Sequence, residues 1–200
     1  STNVKSVTVN AGGKCSVESE GKKGAETLTA DIVLSAVGIK SNIENMGLEE
    51  CGIVVERDKI KVDEHYMTSL EGVYAIGDII ATPALAHVAS AEAIHCVEHI
   101  CGLAPAAVDY STVPSCMFTS PEVASVGVTE QKAREAGIEY KVGRFPFTAS
   151  GKATAAGDRD GFVKLIFDAD DKLIGAHLVG ANVTEMLGEP TLAKALGATA

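Results

Sequence analysis

At 200 residues the chain is long enough to bury a real core, in one domain or two. Apolar residues make up 46% and charged residues 22%, which are globular proportions, and a net charge of −10 argues against nucleic acid or an anionic membrane surface as a partner. No apolar run approaches membrane-spanning length, the first residues lack a signal-peptide pattern, and five cysteines without tight spacing point to a reducing, cytoplasmic setting.

Residues 4–9 and 15–19 alternate apolar and polar side chains, as half-buried strands do. Gly12 and Gly13 between them predict a hairpin turn, and Gly21-Lys22-Lys23-Gly24 predicts another. Cys15 fits as a small apolar side chain. Residues 31–37, DIVLSAV, read as a buried strand ended by Gly38. A polar turn or short helix is expected over 45–50. Two short strands, 52–55 and 59–62, flank Glu56-Arg57-Asp58, and a loop over 63–70 leads to Val73.

The stretch VYAIGD, residues 73–78, organises the middle of the chain. Its apolar part, 73–76, suits a strand buried on both faces. Gly77 lets the backbone turn or a ligand approach, and Asp78 stands just past the strand end, where open α/β sheets bind ligands. Beyond Pro83 a helical pattern runs over 84–100 and stops at Gly102. Its apolar face is Leu85, Val88 or Ala89, Glu92 or Ala93, and Cys96 or Val97. The first turn, from Ala84, offers amides without intrahelical partners and the positive end of the dipole. A carboxylate and an electron-poor helix start a few residues apart suit a large polar cofactor. They equally fit an ordinary strand, turn and helix with a solvated Asp78.

Two other pairs sit on this helix. Cys96 and Cys101 are five apart, so they point in directions about 140° apart and do not form a disulfide. His95 and His99 are at i and i+4 but lack a third ligand at a convincing spacing, so they read as surface histidines and no metal site is expected.

Residues 103–111, with Pro105, form a linker, and a domain boundary belongs near it. The remainder predicts strands at 113–118, 123–128, 140–147, 162–167 and 173–179, the last two joined by the acidic turn 168–171. Thr129 is placed to cap a helix over 130–136 that Gly137 closes. A last helix starts at 184–187, is broken by Gly188 and Pro190, and resumes over 191–196. This pattern predicts an antiparallel sheet covered by helices on one side, an α+β domain.

VYAIGD followed by ALAH (84–87), then TSPEVASVGVTE (119–130), GFVKLIF (161–167) and LIGAHLVGANVTEM (173–186), in that order, resembles the pyridine nucleotide-disulfide oxidoreductases. These are flavoprotein disulfide reductases with two dinucleotide-binding domains, and the resemblance covers essentially the whole chain. The TSPEVASVG stretch favours the branch that oxidises dihydrolipoyl groups over the mercuric, glutathione and trypanothione reductases. The resemblance implies an α/β part followed by an α+β part. These are the end of an NAD-binding domain over 1–43, the end of an FAD-binding domain over 44–109, and an antiparallel-sheet dimerisation domain over 110–200.

It also implies that Asp78 holds ribitol hydroxyls of FAD, and that Ala84, Leu85, Ala86 and His87 open the helix whose amides face the flavin's pyrimidine edge. Gly38 would lie close to bound NAD, although it also reads as a plain strand-ending glycine, and of the family pattern after it only Asn42 is kept. The implied partners are a second copy of the chain, through 110–200, and the lipoyl domain of a 2-oxo acid dehydrogenase complex. The implied chain is the C-terminal part of a longer one, short of its last segment. The redox cysteine pair and the catalytic His with its Glu partner are then absent, no catalytic residue is expected here, and the chain alone is expected to be inactive. His177 lies in a predicted strand and does not take that catalytic role. A non-enzymatic dimerisation or scaffold module is the other reading.

Overall fold

A computed structural model describes residues 2–200, which form two compact units, one running to Ser41 and the other Asn42–Ala200. In the first, β1 (Thr2–Val9), β2 (Cys15–Gly21) and β3 (Gly24–Ala30) make an antiparallel sheet in the order β1-β2-β3. The expected turn forms where Gly13 takes φ +78° and its amide donates to Asn10 O at 2.9 Å. β3 is not among the strands that the residue pattern predicts. Its sequence, GAETLTA, has one large apolar residue, and pairing with β2 (Val17 opposite Leu28) holds it in place of burial.

Residues 31–37 are not a strand. No segment pairs with them among the described residues, and Ile32 and Leu34 are 84% and 87% exposed. An apolar run of this kind becomes a buried strand only when neighbouring strands supply its hydrogen bonds. The three strands of this unit pair among themselves instead. Gly38 does need to be glycine: its φ is +119°, and a Cβ there would meet open space.

The second unit opens with turns over 45–50, without a helix. The predicted pair of strands shrinks to β4 (Val55–Glu56) and β5 (Lys59–Ile60), joined by Arg57 and Asp58, both left-handed at φ 51° and 69°. Two successive left-handed residues make the tight turn that suits strand twist. Residues 73–76 are also not a strand. One antiparallel bridge, Tyr74 to Met67, holds them, and Ala75 is buried while Val73 is exposed, so burial on both faces does not occur. They nonetheless join a core of Ile53, Ile60, Tyr66, Ala75, Ile80 and Cys96.

A long helix, α1 (Ala86–Ile100), packs on this core. It ends as expected: Gly102 is left-handed at φ +79°, and the Gly102 and Leu103 amides return to the carbonyls of His99 and Glu98.

Beyond it, β6 (Ser115–Met117), β7 (Glu122–Gly127), β8 (Tyr140–Pro146), β9 (Phe162–Asp168) and β10 (Leu173–Gly180) form an antiparallel sheet in the order β6-β7-β10-β9-β8. Helices α2 (Glu130–Glu135), α3 (Gly151–Ala156), α4 (Val183–Met186) and α5 (Gly188–Ala195) accompany it. α4 and α5 lie on β7 and β10, and Ala124, Val126, Phe147, Ala176, Leu178, Val183 and Leu187 form the core between. The opposite face, carrying Ser125, Lys164 and His177, meets the start of α2, where Glu130 pairs with Lys164 at 2.7 Å. Thr129 caps α2 as expected, accepting from the Lys132 amide at 3.1 Å. Pro190 breaks nothing. Leu187 keeps a helical backbone (φ −67°, ψ −23°) between α4 and α5, and α5 starts at Gly188, so Pro190 falls in its first turn, where no amide donor is required.

Candidate functional site

The turn after residues 73–76 is built by Gly77. It opens a 3-10 turn, Gly77–Ile79, with φ +71°, and a Cβ there would stand 3.1 Å from the Cβ of Ala89 on α1. Both the backbone angle and the close helix therefore require glycine. Its amide donates to Oε2 of Glu92, one helical turn beyond Val88, at 2.7 Å. Glu92 is completely buried. Its Oε1 accepts the Tyr110 hydroxyl at 2.9 Å, and that hydroxyl lies 3.0 Å from the Tyr66 hydroxyl. Tyr110 has one proton and gives it to Glu92, so Tyr66 is the donor to Tyr110. Burial, then the bonds to Tyr66 and Glu92, push the Tyr110 phenol well above its ordinary value, and burial raises Tyr66.

Asp78 comes directly after Gly77 and is exposed, and its carbonyl accepts from Lys59 Nζ at 2.7 Å. α1 begins at Ala86, two residues later than the pattern suggests. The Leu85 amide folds back onto Pro83 O at 2.8 Å, and this tight turn keeps Ala84 and Leu85 out of the helix. Leu85 O then accepts both the Val88 and Ala89 amides, which leaves the amides of Ala86 and His87 as those without a carbonyl one turn earlier. No side chain caps this end and no acidic residue lies in its first turn, so the positive end of the dipole is uncompensated by α1 itself. Ala84, Ala86 and His87 are exposed and Leu85 is half-buried. The 3-10 turn and α1 are brought together through Gly77, Ala89 and Glu92, and Asp78 and the helix start are left on the surface. Gly38 belongs to the other unit.

Of the alternatives for the helix face, the buried stripe takes Val88, Glu92, His95 and Cys96, while Ile94, Val97 and Ile100 face outward. Glu92 is legible in the sequence only as a charge standing at a core position of the pattern.

His95 is not a surface histidine. It is 4% exposed, and its Nδ1 lies 3.0 Å from Ala106 O. A carbonyl only accepts, so His95 Nδ1 carries a proton, and its Nε2 lies 3.1 Å from Nδ1 of His65. His65 in turn stacks on His99 with centroids 3.7 Å apart. The third histidine comes from 30 positions upstream of His95, a distance no helical spacing reveals. The rings of His65 and His95 are also nearly parallel, with centroids 5.4 Å apart, and the described residues hold no group of three or more His, Cys, Asp or Glu side chains placed to bind a metal ion.

All five cysteines are free. Cys96 is buried and Cys101 exposed; burial, then the charge of Asp63, pushes the Cys96 thiol up. His177, on β10, donates from Nε2 to Val128 O at 3.0 Å. No helix among the described residues is long and apolar enough to cross a membrane.

A model of the pyridine nucleotide-disulphide oxidoreductases matches residues 1–93, and a model of the dimerisation domain of the same proteins matches residues 113–200. The dihydrolipoyl dehydrogenase of Bacillus subtilis (strain 168) is 47% identical over 183 residues, covering 90% of this chain and 39% of that one. The mitochondrial dihydrolipoyl dehydrogenase of Canis lupus familiaris is 43% identical over 202 residues, covering 99% of this chain and 40% of that one. Among solved structures, LpdA of Mycobacterium tuberculosis superposes with a TM-score of 0.88 at 26% identity, covering 99% of this chain and 43% of that one. The chain thus spans about two fifths of the length of these relatives.

Proposed function

The chain belongs to the pyridine nucleotide-disulphide oxidoreductase family, and on that premise we propose that it supplies the ring side of the flavin site and the dimerisation domain of a dihydrolipoyl dehydrogenase. The overall reaction is oxidation of a dihydrolipoyl group by NAD. FAD, when bound, carries the electron pair between the two. The observation that carries the reading is the start of α1: two amides without carbonyl partners, no capping side chain, and a glycine turn bearing Asp78 packed beside it.

The residues fit the cofactor. The Asp78 carboxylate accepts hydroxyl protons of a ribitol chain, and its exposure leaves it reachable. The amides of Ala86 and His87, with the dipole behind them, favour an electronegative ring edge, and more so as that edge gains negative charge. Ala84 and Leu85 shape the approach to those amides just before the helix. Gly38, left-handed and unobstructed, suits a backbone approach to NAD.

The proposed division is 1–43 for the NAD part, 44–109 for the FAD part and 110–200 for the dimerisation part. Exposed Phe118, Met117, Leu192 and Leu196 support an apolar contact with a second copy through the last of these. A lipoyl domain of a 2-oxo acid dehydrogenase complex is the proposed protein substrate, and five free cysteines favour a reducing, cytoplasmic setting. The thiol pair and the base of the reaction come from outside these residues. Cys96 and Cys101 do not pair, and His177 is engaged by Val128 O.

The test replaces the matching segment of the Bacillus subtilis relative with this chain. We expect a dimer with one FAD per subunit and NAD reduction that depends on dihydrolipoamide, while the chain by itself shows neither. A folded chimera without flavin overturns the reading, as does stoichiometric FAD with diaphorase activity in the isolated chain. Turnover of glutathione or mercuric ion in place of dihydrolipoamide moves the function to a sister enzyme.

A further inference from the structure

We infer that Glu92 is a positioning residue for the cofactor site: it locks the turn that presents Asp78 against the start of α1. The inference rests on the flavin reading above. A carboxyl group with no exposed surface is costly on a helix whose packing would be served by leucine. Here both oxygens are used, and each reaches a different part of the chain.

Oε2 takes the Gly77 amide at 2.7 Å, the residue directly before Asp78. Gly77 sits at φ +71° with Ala89 pressed against it, so its peptide has little room to reorient while that bond stands. On the other side, Lys59 Nζ holds the carbonyl of Asp78 at 2.7 Å. The backbone of Asp78 is therefore fixed before and after its α-carbon, and the fixed point on the earlier side is a side chain of α1 itself. That geometry ties the hydroxyl-binding carboxylate and the helix start to one frame.

Oε1 extends the frame. It takes the Tyr110 hydroxyl at 2.9 Å, and Tyr110 takes the proton of Tyr66 at 3.0 Å. Tyr66 lies in the loop before the turn, and its ring meets His95 edge-on at 5.4 Å. Tyr110 opens the 3-10 turn Tyr110–Thr112 that leads into β6, so the network also joins the proposed flavin part to the entry of the dimerisation part. The loop, the cofactor turn, α1 and the entry to the next sheet all meet on one carboxyl group.

The experiment uses the full-length natural protein, with FAD itself as the probe, and compares wild type with E92L, E92Q and E92D. E92L removes the acceptors at similar volume. We expect its FAD dissociation constant to rise about ten- to hundredfold, as loss of a bond from a buried amide to a charged group predicts. Hydrogen exchange at the Gly77 amide should accelerate alongside. E92Q keeps an acceptor for Gly77 and should restore affinity to within about threefold, a rescue that filling the core alone does not produce.

If E92L does not fold, E92D carries the test. It keeps the charge but falls one carbon short of Gly77, and about tenfold weaker FAD binding is expected. A wild type that binds FAD with a folded E92L, or failing that E92D, binding it equally tightly overturns the inference alone. A wild type that takes up no FAD overturns the reading of the site and this inference with it.

Discussion

The sheet of β1 to β3 and the sheet of β6 to β10 start from the same materials. Both are antiparallel, and both have strands in which apolar residues recur at every second position. Their fates differ. Val9 on β1 is 71% exposed, and Val7 and Leu28 are exposed with it. On β10 the corresponding alternation puts Ala176 and Leu178 under α4 and α5, with Leu178 at 1%. Within the first unit no helix lies among the described residues. Alternation therefore decides which side of a strand is apolar, and a second layer decides whether that side contributes. Each fully buried Leu or Val is worth about 1.5–3 kcal/mol relative to an exposed one. By that measure the five-stranded sheet carries its own stability and the three-stranded one relies on its hydrogen-bond ladder.

The largest test of this contrast is a pair of truncations. Leu178→Ala should cost about 2–5 kcal/mol of unfolding free energy, because it removes atoms from a packed core and leaves a cavity. Val9→Ala should change stability by no more than about 0.5 kcal/mol. Denaturant titration with amide exchange resolved for each unit separates the two, and equal costs would break the comparison.

A glycine pair sharpens it. A Cβ on Gly175 would overlap the carbonyl oxygen of Val128, so Gly175→Ala should cost about 1–3 kcal/mol through forced backbone displacement. Gly12 has nothing within 4 Å of its Cβ position, so Gly12→Ala should be near neutral. An unperturbed Gly175→Ala would mean the junction of β7 and β10 is less tightly packed than its geometry requires.

Legibility in the sequence divides along the same line. Devices that act within a few residues are legible: Gly13 in its hairpin, Thr129 at the start of α2, Gly102 past the end of α1, Asp168 in its turn. The five strands of the second sheet are legible too, because their partners lie in the same chain. Residues 31–37 and 73–76 have strand-like composition but lack partners beyond one bridge at Tyr74, and composition cannot report a missing neighbour. At the candidate site Asp78 and the helix are legible, whereas the two-residue shift of the helix start comes from a local fold-back at Pro83. Glu92 reads only as one option on an apolar face. Its partners lie 15 and 18 positions away, and only the fold makes them neighbours. His65 reaches His95 the same way.

The smallest expected effect concerns the ion pairs that cross each sheet. On the first sheet Lys5 and Glu20 lie 2.8 Å apart with both side chains more than half exposed. On the second, Lys164 of β9 meets Glu130 of α2 at 2.7 Å with exposures of 24% and 33%. Screening and side-chain freedom leave the first pair with little net effect, so Glu20→Gln should stay within measurement scatter. The hydrogen bond from Lys164, then its charge, hold the Glu130 carboxyl below its ordinary value of 4.5. The folded protein therefore binds fewer protons there than the unfolded chain. Stability from this pair is fully present above pH 4.5 and is lost as the pH falls through the depressed folded value. Glu130→Gln should lower stability slightly at neutral pH and flatten its decline in acid, measured as unfolding midpoints from pH 7 down to about pH 2. Lys164 also loses its partner in that variant, and the Glu130→Gln, Lys164→Met double variant should recover part of the neutral-pH loss, since the uncompensated cation is removed from a partly buried face. An acid limb unchanged by Glu130→Gln would place this pair in the same class as Lys5 and Glu20, leaving the buried Ala133 and the Val128 amide, which donates to Ile174 O at 2.9 Å, to hold α2 on the sheet.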